Sequence, residues 1–162
     1  MSSQGMPAAD DRDVIEGLVQ LSYLVQATVS RVADTEGLTS VQARLLVVLS
    51  DREPTMLTLA GIMGLEKSSL TGLVERAESR GLVERYTAKE SRRSVRVRLT
   101  DQGRLRCTAY VAAVGPELFE LVQALPAADR KHLGVLAGRV VSHYVAAHGI
   151  DASTLDLATR FV

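Results

Sequence analysis

Apolar residues fall at Val14, Leu18, Leu21, Val25, Val29 and Val32, in steps of three and four that lay one stripe along a long helix. Such a stripe needs a partner surface. Thr39 or Ser40 can open a second helix, because a hydroxyl there accepts from free backbone amides, and Val41, Leu45, Val48 and Leu49 carry it to the charged turn Asp51-Arg52-Glu53-Pro54. Two shorter helices are predicted over about 57–63 and 67–80, divided by Gly64, which suits the left-handed backbone of a tight interhelical turn. After Gly81 the period changes. Leu82 to Tyr86 and Ser94 to Leu99 read as two strands, the second alternating strictly with Val95, Val97 and Leu99 on one face, so that Thr87 to Arg93 becomes the polar, basic tip of a β-hairpin. Thr100 followed by Asp101 starts another helix through Leu105, Val111, Val114, Leu118 and Leu121, which Gly115-Pro116 should kink or interrupt. Leu125-Pro126 resets the chain into a last helix with Leu133, Leu136, Val140 and Tyr144 on one face, ending at His148-Gly149.

Composition adds where the function lies. With 162 residues and 46% apolar content, the chain suits one substantial domain, or a small one with an appended oligomerisation region. Its 19 basic and 19 acidic residues cancel, but binding follows the local field. Residues 66–106 hold 11 Lys/Arg against 6 Asp/Glu, a local +5, while residues 1–35 hold 2 against 5, a local −3. One region is built to meet an anion. The start of the chain carries no basic stretch followed by an apolar one, and no apolar run reaches the roughly 18 residues of a membrane span, so a soluble, cytoplasmic protein with no membrane partner is expected. The single cysteine, Cys107, excludes an intrachain disulfide and a cysteine-rich zinc site.

Helix, helix, turn, helix, β-hairpin is the order of a winged helix-turn-helix. A DNA major groove admits one α-helix, whose first side chains reach base edges while its free amides meet phosphate. Lys67, Ser68, Ser69 and Thr71 stand where those contacts would be made; the plainer alternative is a capped, solvated helix start. The hairpin tip, with Lys89, Arg92 and Arg93, would lie over the backbone and place an arginine in the flanking minor groove. Arg96 and Arg98, opposite the valines, extend that charge into a basic stripe. The fold expected is mainly α with a small β-hairpin wing, an α+β winged helix-turn-helix flanked by a helical dimerisation region.

The run from Leu38 to Gly103 carries Leu38-Thr39-x-x-Gln42, Leu59-Ala60, Gly64-Leu65-x-Lys67-Ser68, Leu73-Val74-x-Arg76, Gly81-Leu82-Val83-x-Arg85, Arg92-Arg93 and Val97-x-Leu99-Thr100-x-x-Gly103. These motifs, in register, resemble the MarR family of bacterial regulators. The resemblance implies a two-fold dimer and, to match it, a palindromic operator in double-stranded DNA; a repressor rather than an activator is expected, because occupying a promoter palindrome is enough to block polymerase. The resemblance assigns base contacts to Ser68, Ser69 and Thr71, a minor-groove contact to Arg93, and phosphate contacts to Thr39, Ser40 and Gln42; Lys67, Arg76, Lys89 and Arg92 complete the expected DNA-binding set. The implied domains are a disordered N-terminus over 1–10, an N-terminal dimerisation helix over 11–36, the winged domain over 37–100, C-terminal dimerisation helices over 101–149 and a tail over 150–162. Three places depart from the pattern: Ser91 replaces an acidic residue before the wing arginine, Gly72 replaces an arginine, and Leu57, Gly61 and Ile62 occupy a normally polar helix face.

Such regulators respond to a small aromatic or phenolic anion lodged beside the dimerisation helices, and Tyr23, Arg44 and Tyr110 offer a cation and ring faces for one. Ordinary helix packing is the alternative for all three. Cys107, among Arg104, Arg106 and Thr108, reads as a small buried hydrophobe or as a thiol switch. His132, His143 and His148 could hold a metal only with carboxylates that the pattern does not place, and His143 and His148, five apart, do not share one helical face. No catalytic residues, cofactor or metal are expected. The competing readings are a winged-helix protein-interaction module supported by Gly72, Leu57 and Ile62, and a thiol- or metal-responsive sensor on the same scaffold.

Overall fold

The computed structural model describes residues 9–87 and 94–148. Its elements, in chain order, are α1 (Ala9–Thr35), α2 (Ser40–Leu49), α3 (Met56–Met63), α4 (Lys67–Ser79), β1 (Val83–Thr87), β2 (Val95–Leu99), α5 (Asp101–Glu120) and α6 (Ala127–His148). Threonines set three of the helix starts. Thr39 accepts from the Gln42 amide while Gln42 Oε1 accepts from the Thr39 amide, both at 3.2 Å, a reciprocal cap at the head of α2. Thr55 caps α3 through the Thr58 amide, and Thr100 caps α5 through the Gly103 amide at 3.0 Å. Gly64 ends α3 at φ 64°, a backbone that only glycine adopts without strain, and so allows α4 to follow after two residues.

Around α2 the core closes on all sides. Leu45, Leu46, Val47 and Val48 are buried, together with Leu59 of α3, Leu70 and Val74 of α4, Val83 and Val97 of the hairpin, and Val114 of α5. β1 and β2 pair antiparallel from Val83 opposite Leu99 to Thr87 opposite Val95. Val83, Val97 and Leu99 turn into the core, as the alternation requires.

Two expectations need correcting. α5 runs without interruption through Gly115-Pro116. Pro116 removes the amide that would reach the Ala112 carbonyl, but Ala112 is exposed, so water can satisfy that carbonyl. Ile62 does not stand on the outer face of α3. It is buried, while Leu57 remains 85% exposed.

α6 buries none of its residues, and Leu136, Val140 and Tyr144 stand in solvent. α1 likewise leaves Val14, Leu18, Tyr23 and Leu24 bare. Among the described residues no helix is long and apolar enough to cross a membrane.

Candidate nucleic-acid interface

α4 presents its amino-terminal turn to solvent. Glu66 at its N-cap makes no side-chain cap, and the Leu70 amide to the Glu66 carbonyl, at 2.9 Å, is the first bond of the helix. The amides of Lys67, Ser68 and Ser69 therefore precede the helical ladder and carry the positive end of its dipole. Lys67, Ser68, Thr71 and Gly72 line one shallow depression with Glu66 and Glu75. Thr71 donates its hydroxyl to the Lys67 carbonyl at 2.8 Å, so toward a ligand it can only accept. Ser69 and Arg76 are exposed on the same helix. A Cβ built on Gly72 would lie 3.1 Å from a guanidinium nitrogen of Arg76; the arginine folds back one turn and covers the glycine. Gly72 is thus filled by a cation from the next turn.

The second-helix assignments fare differently. Thr39 is exposed, and its hydroxyl oxygen accepts from the Gln42 amide. Ser40 faces α1, its hydroxyl 3.0 Å from that of Ser30. Gln42 is 5% exposed, and its Oε1 accepts from Arg80 at 2.7 Å as well as from Thr39, so burial withdraws this side chain from the expected phosphate contact. Lys89, Arg92 and Arg93 lie outside the described residues.

Arg96 and Arg98 stand on the hairpin face opposite Val97 and Leu99, as expected, but both have partners within the fold. Arg98 Nε lies 2.6 Å from Glu84 Oε1, directly across the ladder, and its guanidinium sits 4.7 Å from the centre of the Tyr86 ring. Arg96 donates to the Glu53 carbonyl at 2.7 Å, and the Tyr86 hydroxyl donates to the Glu53 carboxylate. On the other face Arg85 grips Glu78 of α4 at 2.7 Å, which holds the Glu78 carboxyl below its usual range. Sequence reasoning missed these braces. The Glu84–Arg98 pair follows once the hairpin register is counted, but Glu53 and Tyr86, 33 residues apart, leave no local signal.

Of the three effector candidates, two meet. Arg44 and Tyr110 line a cavity of about 380 Å³ with Gln26, Val29, Val41 and Met63, between α1, α2 and α5. Arg44 also donates to the Ile62 carbonyl at 3.2 Å. Burial, and secondarily Cys107, pushes the Tyr110 phenol above its usual value, so it stays a protonated donor at neutral pH. Tyr23 is 69% exposed on the bare face of α1 and does not reach this cavity. Cys107 is buried. The interaction-module reading loses two supports, since Ile62 is in the core and Arg76 covers Gly72.

Residues 36–94 match the model of the MarR family. The chain is 26% identical over 136 residues to the HTH-type transcriptional regulator PecS of Dickeya dadantii strain 3937, covering 82% of each protein. Its fold superposes on wild-type MarR from E. coli with a TM-score of 0.70 at 21% identity, covering 84% of this chain and 98% of that one. NadR, solved in complex with 4-hydroxyphenylacetate, agrees with a TM-score of 0.65 at 22% identity over 86% of this chain and 97% of its own. Residues 36–94 thus match the MarR family model, and the chain as a whole carries the winged-helix fold of these proteins, with the amino-terminal turn of α4 open to solvent.

Proposed function

We propose that the protein acts as a homodimeric repressor on a palindromic operator and is released by a small aromatic anion. The observation that carries the dimer is α6, a helix of 22 residues with none buried. An apolar surface of that length is stable in water only against another surface, and the bare face of α1 supplies its complement. In this reading residues 11–36 and 101–149 form the dimerisation region around a winged domain over 37–100. Two α4 helices then enter successive major grooves, and the two-fold axis demands inverted half-sites.

On each half-site Lys67 and the first amides of α4 would hold phosphate, Ser68 and Ser69 would face base edges, and Arg76 would approach across Gly72. Arg93, with Lys89 and Arg92, would serve the flanking minor groove; Thr39 would touch the backbone. Repression needs only that this dimer occupy a promoter. Release is assigned to the cavity holding Arg44 and Tyr110: a carboxylate pairs with the guanidinium and a ring lies against Val29, Val41 and Met63. NadR's complex with 4-hydroxyphenylacetate gives the chemical class to try first. The effector acts by binding the non-binding arrangement of the dimer more tightly.

Binding is tested by measuring affinity for a selected duplex at fixed salt. Arg93→Ala is expected to weaken it by roughly tenfold or more and to flatten the salt dependence, leaving the oligomeric state unchanged. Normal affinity would remove the wing from the interface. Titrating 4-hydroxyphenylacetate into the complex should release DNA from the parent but not from Arg44→Ala; equal release from both would remove the cavity.

A further inference from the structure

The turn between α2 and α3 does more than connect them. The Val97 amide donates to the Pro54 carbonyl at 3.1 Å, Thr55 bridges Arg96 antiparallel, and Arg96 donates to the Glu53 carbonyl. The turn thereby forms a short third edge along β2. Glu53 adds a side-chain bond to it, because its carboxylate accepts from Tyr86 of β1, the residue directly opposite Arg96. Tyr86 itself lies under the Arg98 guanidinium, which Glu84 holds from the far side. On the reverse face of the hairpin, Arg85 is fixed to Glu78 of α4. The two braces act on opposite faces of β1, so together they set the rotation of the hairpin about its long axis relative to α4.

Glu53 is exposed, and its charge has the wrong sign for a surface that approaches phosphate. Simple electrostatics would favour its loss. We infer that Glu53 and Tyr86 are positioning residues for DNA binding: their bond holds the outer ends of both strands at the angle from which the wing meets DNA while α4 occupies the major groove. The gain is pre-organisation. A hairpin already at its bound angle loses less conformational freedom on binding, and a bond that does so can outweigh the repulsion of one exposed carboxylate. This inference rests on the reading that the hairpin contacts DNA.

The test uses the full chain and a duplex selected from a random pool, with affinity measured by anisotropy at one salt concentration and contacts mapped by hydroxyl-radical cleavage. Tyr86→Phe keeps the ring beneath Arg98 and deletes only the hydroxyl; it should weaken binding by about tenfold, one hydrogen bond lost on each half-site. Cleavage protection should fade in the flanking minor grooves and persist at the centre of each half-site. Glu53→Ala should weaken binding to the same degree although it removes a negative charge, and the double variant should be no weaker than either single one. Glu53→Gln, whose amide oxygen still accepts from Tyr86, should bind within about twofold of the parent or more tightly. Thermal midpoints should stay together, since both groups are on the surface. Glu53→Ala binding as tightly as the parent would overturn the inference, as would failure of Glu53→Gln to restore binding. If Arg93→Ala loses affinity and Tyr86→Phe does not, the tie is refuted and the wing contact stands; if neither loses affinity, the wing contact is refuted and the tie with it.

Discussion

Gly103 has no space for a side chain. A Cβ there would stand 1.8 Å from the carbonyl oxygen of Leu82, a backbone atom that cannot swing aside, because α5 starts hard against the base of β1. The Leu82 carbonyl also accepts from the Thr100 amide at 3.2 Å, and the Thr100 hydroxyl reaches back to the Gly81 carbonyl at 2.5 Å. Gly103→Ala must therefore pry the hairpin from α5, and we expect a loss of about 2–3 kcal/mol in a urea titration. A midpoint equal to the parent's would contradict this close approach. Much at this scale was legible: Thr39 and Thr100 announce themselves as caps because capping depends on residues within three positions. Gln42 was not, because its second partner, Arg80, arrives from 38 residues away. Arg96 and Arg98 were read as charge offered to DNA, and only the folded hairpin reveals Glu53 and Glu84 as their partners.

Between elements, the joint of β1 to α4 is ionic. Arg85 holds the Glu78 carboxyl below its usual value of 4.5, first by side-chain hydrogen bonding, so this contact stabilises the fold above about pH 4.5 and fades as pH falls through the lowered folded value. The difference in thermal midpoint between the parent and Arg85→Ala should accordingly be largest near neutral pH and shrink as the solution is acidified toward pH 3. A difference independent of pH would assign Arg85 a purely steric role. α6 makes a different prediction. Val140 is 62% exposed and Leu136 43% exposed, so aspartate at both costs the protomer little, yet sedimentation should show a monomer. Operator affinity should fall on the order of 100-fold as the second half-site contact is lost. A dimer that survives both changes would place the interface elsewhere. Element boundaries came readily from periodicity, since the change from 3.6 to 2 at Gly81 is sharp. Pro116 misled because a proline signals a missing amide, and the sequence does not tell whether the orphaned carbonyl faces water or core.

At the scale of the whole molecule, a neutral chain carries its positive charge in one segment and its bare apolar helices in two others. The winged domain holds most of the buried core, whereas α6 adds none. This division fits the proposed dimer, in which the reading heads would be finished in the protomer and their spacing only by pairing. Helix order and the family resemblance both pointed there from sequence. What they could not supply is which cations are paired within the fold: Arg85 is held by Glu78 and Arg98 by Glu84, whereas Lys67 and Arg76 of α4 stand exposed. The most direct measurement is selection of bound duplexes from a random pool, with the stoichiometry of the complex determined by sedimentation. We predict inverted half-sites with centres about 10 base pairs apart, bound by two chains. Selected sequences without two-fold symmetry, or a complex containing one chain, would contradict the account.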